Sequence, residues 1–151
     1  MIDLHSHILP GVDDGSASFD ETLQIIDDAL NNNVSAIVAT PHYLAPSYQE
    51  NASENLELLN KIKRKLNRDI ELYLGNEVYL AENMLNLIKE NKITNINGSR
   101  YLLIEFPLYE KSYIIEEVLF ELSSVSIVPI IAHPERYTYV RKGEEFLRRF
   151  I

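Results

Sequence analysis

Ile127-Val128-Pro129-Ile130-Ile131-Ala132-His133-Pro134-Glu135-Arg136-Tyr137 (IVPIIAHPERY) is the stretch whose reading decides the fold. A run of apolar residues, Ile127–Ala132, gives way abruptly to a histidine, a proline and charged side chains. A continuous, β-branched run suits a strand covered on both faces, the habit of parallel sheets. Working outward, the same signature recurs at Ile2–Leu4, Ala36–Ala39 (AIVA), Ile70–Leu74 (IELYL) and Tyr101–Ile104 (YLLI). Segments of helical period lie between these runs, and that alternation predicts an α/β fold of βαβ units around a parallel sheet.

The helices are marked by their spacing. Ser18-Phe19-Asp20-Glu21 has the S-x-x-E form of a capping box and leads into Leu23, Ile26 and Leu30 on one face. A second helix carries Leu56, Leu59, Ile62 and Leu66, with Lys61, Lys63, Arg64 and Lys65 on its wet side. A third, Glu82–Glu90, is expected to bury Leu85 and Ile88. A fourth, Tyr113–Ser123, is expected to bury Ile115, Val118, Leu119 and Leu122. Lys142–Ile151 (KGEEFLRRFI) looks like a helix just beginning, so about five βα units are expected in a single domain.

Composition narrows the chemistry. A chain of 151 residues, 46% hydrophobic, suits one globular domain with a real core. A net charge of −9 argues against wrapping nucleic acid, and no apolar run reaches the ~18 residues of a membrane span. A cytoplasmic location is the expectation. The chain has no cysteine, which excludes disulfides, thiolate metal sites and a cysteine nucleophile.

The reactive side chains collect at one edge of the predicted sheet. His5 and His7 follow the first strand, His42 the second and His133 the fifth, and these are the chain's only histidines. Glu77 follows the third strand, and Glu105 ends the fourth between Ile104 and Phe106, where an unpaired charge is costly. The C-terminal strand edge is where parallel α/β proteins build their sites. In His5-x-His7 the period of 2 places both imidazoles on one side of a strand, able to chelate one ion. Singly, each residue has a plain structural reading: a polar strand for the histidine pair, a turn for Asp13-Asp14-Gly15, a hydrogen-bonded histidine for His42. Scattering would follow from those readings, and the residues are not scattered. A multinuclear metal site with nitrogen and oxygen ligands suits manganese, zinc, iron or magnesium, with carboxylates leaning toward manganese. Arg136, three residues after His133, is placed to clamp a phosphate; Arg141 has the weaker case beside Glu135 and Glu144.

The segments HSHILPGVDDG, ATPHY, GNEV, LIEFP and AHPERY together resemble the bacterial metal-dependent protein-tyrosine phosphatases of the PHP (polymerase and histidinol phosphatase) superfamily, found in capsule and exopolysaccharide operons. The resemblance implies a distorted (β/α)7 barrel holding up to three manganese ions. It implies His5 and His7 on a first metal, Glu77 bridging to a second with Glu105 and His133, and Asp14 and His42 on a third; spacing alone does not separate Asp14 from Asp13. Arg136 is implied to bind the substrate phosphate. Family members run further and end on a D-x-H segment that supplies ligands to the first and third metals. The chain is therefore expected to be a C-terminally truncated, incomplete barrel, with open edges available to self-association.

The chemistry implied is phosphomonoester hydrolysis by a metal-activated water, with an autophosphorylating bacterial tyrosine kinase as protein partner. The alternatives are a small-metabolite phosphatase of the histidinol-phosphate type, a metal-dependent amidohydrolase, and an inactive truncated remnant.

Overall fold

In the computed structural model, residues 1–43, 52–141, 143, 145, 146 and 148 are described. The strands are β1 (Ile2–Ser6), β2 (Ala36–Ala39), β3 (His42–Tyr43), β4 (Glu71–Leu74), β5 (Glu77–Tyr79), β6 (Tyr101–Glu105) and β7 (Val128–Ile131). The helices are α1 (Phe19–Asn31), α2 (Ala52–Lys65), α3 (Met84–Lys89), α4 (Ile115–Ser124) and α5 (Thr138–Arg141). Every strand pairing is parallel.

The five expected strands are present, and two more appear that the sequence reading did not separate. β2 breaks at Thr40-Pro41 and resumes as β3; β4 breaks at Gly75-Asn76 and resumes as β5. The sheet is thereby divided into β1-β2-β4 and β3-β5-β6-β7. Hydrogen bonds run through both breaks, from Gly75 N–H to the Ala39 carbonyl (2.9 Å) and from Glu77 N–H to the Pro41 carbonyl (3.0 Å). Proline lacks the N–H a ladder needs, and so marks the bend. Gly75 fits the other because even a methyl there would stand 3.3 Å from the Ile96 backbone. Counting each broken strand as one, five parallel units follow one another in chain order, the arrangement of a barrel wall.

Period-2 alternation assigns the strand faces. Leu102 and Ile104 of β6 pack under α3 and α4 with Val78, Met84, Ile115, Val118 and Leu122. Leu103 points the other way, meeting Val38, Ile96 and Ala132 across the concave side. Ile37 and Ala39 join Ile26 of α1 with Leu59 and Ile62 of α2. β2 is buried along its whole length, as a strand covered on both faces should be. β7 departs from that expectation: all its residues are half-buried, because among the described residues only β6 pairs with it, and Pro129 is tolerated in such an edge position.

Several local expectations shift. Ser18 caps α1, its Oγ accepting from Glu21 N–H, but Glu21 Oε2 accepts from Ala17 N–H (2.7 Å), closing the box one residue early. α3 is shorter than Glu82–Glu90 and buries Met84 and Leu87, with Leu85 and Ile88 only half-buried. In so short a helix the phase follows the neighbouring core and not its own periodicity. Leu56, expected on the buried face of α2, is 48% exposed, while the basic residues of that helix face solvent as expected. The last helix begins at Thr138, ahead of the expected Lys142–Ile151 segment, of which Lys142, Glu144, Leu147 and 149–151 lie outside the described residues.

Candidate metal centre

Each strand end brings its side chain to the edge by a definable local device. β1 carries a one-residue bulge between Asp3 and Ser6 relative to β2, and extends two residues beyond the expected Leu4. Ser6 and Thr40 exchange bonds, Thr40 N–H to the Ser6 carbonyl (2.8 Å) and Ser6 N–H to Thr40 Oγ1 (3.1 Å), which locks the ends of β1 and β2 together. Beyond β1 the chain folds back on itself, with Ser16 N–H donating to the His7 carbonyl (2.9 Å). That return passes so close to His7 that a Cβ on Gly15 would fall 2.2 Å from the His7 carbonyl oxygen, so only glycine fits. The Thr22 hydroxyl of α1 donates to the Ile8 carbonyl (2.8 Å) and ties the loop to the first helix.

At the other end of the sheet, His133 adopts φ +28°, ψ 58°, a backbone conformation that non-glycine residues reach at a cost of about 1–3 kcal/mol. The sharp turn it makes is followed by a 3-10 turn over Pro134–Arg136, where proline suits the first position and Arg136 is carried back to the cavity rim. Tyr137 holds this turn down. Its buried hydroxyl donates to the Ala132 carbonyl (2.7 Å) and accepts from Phe106 N–H (3.0 Å), joining the residue before His133 to the residue after Glu105. Asn76 performs the analogous task beside Glu77: its Oδ1 accepts from Thr94 N–H (2.8 Å) and its Nδ2 donates to the Pro41 carbonyl (3.3 Å).

These devices converge on a cavity of about 320 Å³ lined by His5, His7, Asp14, Gly15, His42, Glu77, His133 and Arg136. Glu77, 1% exposed, is the hub. Its Oε2 lies 3.0 Å from His5 Nε2, 3.1 Å from His7 Nε2 and 3.2 Å from His42 Nδ1, and its Oε1 lies 2.8 Å from His133 Nε2. Glu105 stands behind, 3.5 Å from His133 Nε2 and 3.9 Å from His42 Nδ1. Asp14 is 64% exposed and reaches His42 Nε2 at 3.4 Å. All the expected ligand residues are therefore brought together, with Arg136 beside them. Arg141 is not: its Nε donates to the Glu135 carbonyl (2.8 Å), bracing the turn from outside the cavity.

Two contributing residues were given no role from sequence. Tyr137 and Asn76 sit inside quoted motifs, AHPERY and GNEV, and a buried polar residue beside a ligand was the available signal. Asp13, which spacing alone did not separate from Asp14, places its Oδ2 2.7 Å from His7 Nδ1.

The donor set fits divalent cations. His5, His7 and Glu77 form one candidate group, His7, Asp14 and His42 a second, and His42, Glu77 and Glu105 a third. In the first, His5 Nε2 and His7 Nε2 are 3.2 Å apart and each is 3.0–3.1 Å from the same carboxylate oxygen. Donor atoms bonded to one ion at about 2.1 Å stand about 3.0 Å apart in octahedral and about 3.4 Å apart in tetrahedral coordination, so this triangle has the dimensions of a coordination face. These nitrogens and the shared carboxylate oxygen stand close enough that either a proton or a metal cation can bridge them. Without metal, protons serve: burial disfavours the charged form of His7, but hydrogen bonds and charges from Asp13 and Glu77 outweigh it and raise its pKa to about 10. Burial likewise opposes ionisation of Glu77, yet the surrounding histidines hold its carboxyl far below the usual range. Glu105 is pushed up by burial and then by the Glu77 charge, against the pull of His42 and Arg136.

Fold and site define a parallel α/β protein whose strand ends build a candidate metal centre of histidines and carboxylates. The family described as "Capsular polysaccharide synthesis, CpsB/CapC" matches residues 1–151, and the chain belongs to it. The CapC protein of Staphylococcus aureus is 41% identical over all of this chain and 60% of its own length. The tyrosine-protein phosphatase CpsB of Streptococcus pneumoniae is 32% identical, over 100% of this chain and 63% of its own. A structure from a crystallographic study of Bacillus subtilis YwqE and Streptococcus pneumoniae CpsB, described there as metal-dependent tyrosine phosphatases, superposes with a TM-score of 0.95 at 26% identity, covering 99% of this chain and 62% of that one. The chain thus spans 60–63% of the length of the curated relatives it matches. Among the described residues no helix is long and apolar enough to cross a membrane.

Proposed function

We propose that residues 1–151 form a single PHP-type domain which, with manganese bound, takes part in hydrolysing phosphotyrosine on proteins. The observation that carries this reading is the convergence of every histidine in the chain on one buried carboxylate, Glu77, at the strand edge, with Arg136 at the rim. His5, His7 and Glu77 would hold one ion, Glu77, Glu105 and His133 a second, and Asp14 and His42 would contribute to a third. When bound, the ions supply Lewis acidity and lower the pKa of water, which makes a nucleophile for phosphorus.

The chain's own residues do the rest. Arg136 offers a planar fork that matches two phosphate oxygens and neutralises their charge as the ester bond breaks. Glu77 and Glu105 keep the buried imidazoles in register with compensating charge. A phenol leaves with a pKa near 10, so no strong acid is needed on the leaving side. With no cysteine, the chain has no route through a phosphocysteine. The protein partner in this reading is an autophosphorylating bacterial tyrosine kinase, met in the cytoplasm; the naming of YwqE and CpsB relatives as tyrosine-protein phosphatases supports that substrate class.

Elemental analysis of the purified chain, followed by phosphate release from a phosphotyrosyl peptide and from histidinol phosphate with added Mn²⁺, tests the reading. Bound divalent metal and chelator-sensitive release from the peptide are expected. Bound metal with strong preference for histidinol phosphate refutes the substrate class. Absence of both metal and turnover refutes the metal-centre reading for this chain.

A further inference from the structure

The two adjacent aspartates of the Asp13-Asp14-Gly15 turn are not equivalent. Asp14 is exposed and stands 3.9 Å from His7 Nδ1, beyond hydrogen-bond reach. The Asp13 side chain is 1% exposed and accepts three bonds. Its Oδ2 meets His7 Nδ1 at 2.7 Å and His42 N–H at 3.0 Å, and its Oδ1 accepts from Gly15 N–H at 3.1 Å. A carboxylate in this setting has no proton to give, so His7 Nδ1 must be the donor. The opposite ring nitrogen, Nε2, is the one that faces His5 Nε2 and Glu77 Oε2 in the cavity.

We propose that Asp13 is a positioning residue of the centre: it keeps the His7 proton on Nδ1, so that Nε2 presents its lone pair to a cation, and through the His42 backbone it sets a second histidine from the same oxygen. This rests on the metal-centre reading above. Imidazoles that bind metal through one nitrogen commonly donate the other N–H to a carboxylate, and loss of such a partner typically lowers metal affinity by about 10–100-fold. The geometry also explains why Gly15 follows. Only a residue without Cβ lets the turn lie against the His7 backbone closely enough for a short aspartate to reach back to Nδ1.

The test combines ¹⁵N–¹H spectroscopy of the histidine rings with Zn²⁺ titration, zinc being the diamagnetic probe. In the full chain, His7 should show an exchange-protected proton on Nδ1, both metal-free and zinc-loaded. Asp13→Ala should lose that proton's protection and lower Zn²⁺ affinity by about 10–100-fold. Asp13→Asn, which keeps one neutral acceptor oxygen, should recover part of both, with the Nδ1–H resonance moved upfield. Asp14→Asn should leave that resonance in place. The proposal is overturned if wild-type His7 carries no protected Nδ1 proton, or if Asp13→Ala binds Zn²⁺ as tightly as wild type. It is also overturned if the variants lose thermal stability while the His7 resonance stays unmoved, since Asp13 would then only build the turn. Should Asp13→Ala not fold, an unshifted resonance in Asp13→Asn overturns it equally. A wild-type chain that binds no Zn²⁺ refutes the metal-centre reading, whereas the metal-free spectrum tests Asp13 independently.

Discussion

Tyr137→Phe removes one oxygen from the interior and should be expensive. The hydroxyl is fully buried and serves two backbone groups, accepting from Phe106 N–H at 3.0 Å and donating to the Ala132 carbonyl at 2.7 Å. Phenylalanine keeps the ring, its packing against Phe106 and its stack on Tyr139. What changes is that the buried Phe106 N–H and the buried Ala132 carbonyl each lose the hydroxyl partner. Each such orphaned group costs about 1–3 kcal/mol, so the pair should cost about 2–6 kcal/mol. For a domain of this size about 3 kcal/mol corresponds to a fall in Tm of about 6–12 °C. Urea unfolding followed by far-ultraviolet circular dichroism measures it, with the midpoint falling and the slope unchanged. Because the two backbone groups adjoin Glu105 and His133, divalent-metal affinity should fall with stability. A variant within about 0.5 kcal/mol of wild type would refute the reasoning, since surface substitutions give that much.

Other perturbations report on separate parts of the centre. Gly15→Ala forces a Cβ to within 2.3 Å of His7 Cβ, so the turn must shift; a loss of about 1–3 kcal/mol and weaker metal binding are expected, and calorimetric melting that matches wild type would count against the close approach. Glu77→Gln leaves shape but removes the one charge shared by four imidazoles; metal content by elemental analysis should drop at least about tenfold. In the metal-free chain the His7 pKa lies above its ordinary 6.5, at about 10. The stabilisation from the His7 imidazolium is therefore complete below 6.5 and disappears as pH climbs through about 10. Urea midpoints should decline across that window, and a flat profile would sink the assignment.

The sequence carried the fold wherever one periodicity ran long enough to exclude others. AIVA and the Leu102–Ile104 part of YLLI are buried on both faces because helices cover one side and opposite strands the other, and uninterrupted apolar composition is the direct record of that. The candidate site was legible for the same reason: a histidine or glutamate that closes an apolar strand run sits at the strand end. Less legible were features set by tertiary contact. The breaks after Ala39 and Leu74 were marked by Pro41 and Gly75, yet those residues also suit ordinary loops. The phase of α3 depended on what lay beneath it. Asp13 and Asp14 differ by one position in sequence and by burial in space, and spacing holds no information on which one turns inward.

The bonds around Glu77 span the chain. It touches His5 from the first strand and, at a separation of 56 residues, His133 in the turn just past β7. A chain without cysteine cannot fasten such distant segments covalently. An ion seated on these side chains would act as a reversible cross-link through the whole strand series, closing loops whose entropy is otherwise lost on folding. Metal loading should then be read in the amide protection of β1, β2, β6 and β7 together, as one cooperative unit, and not only beside the cavity.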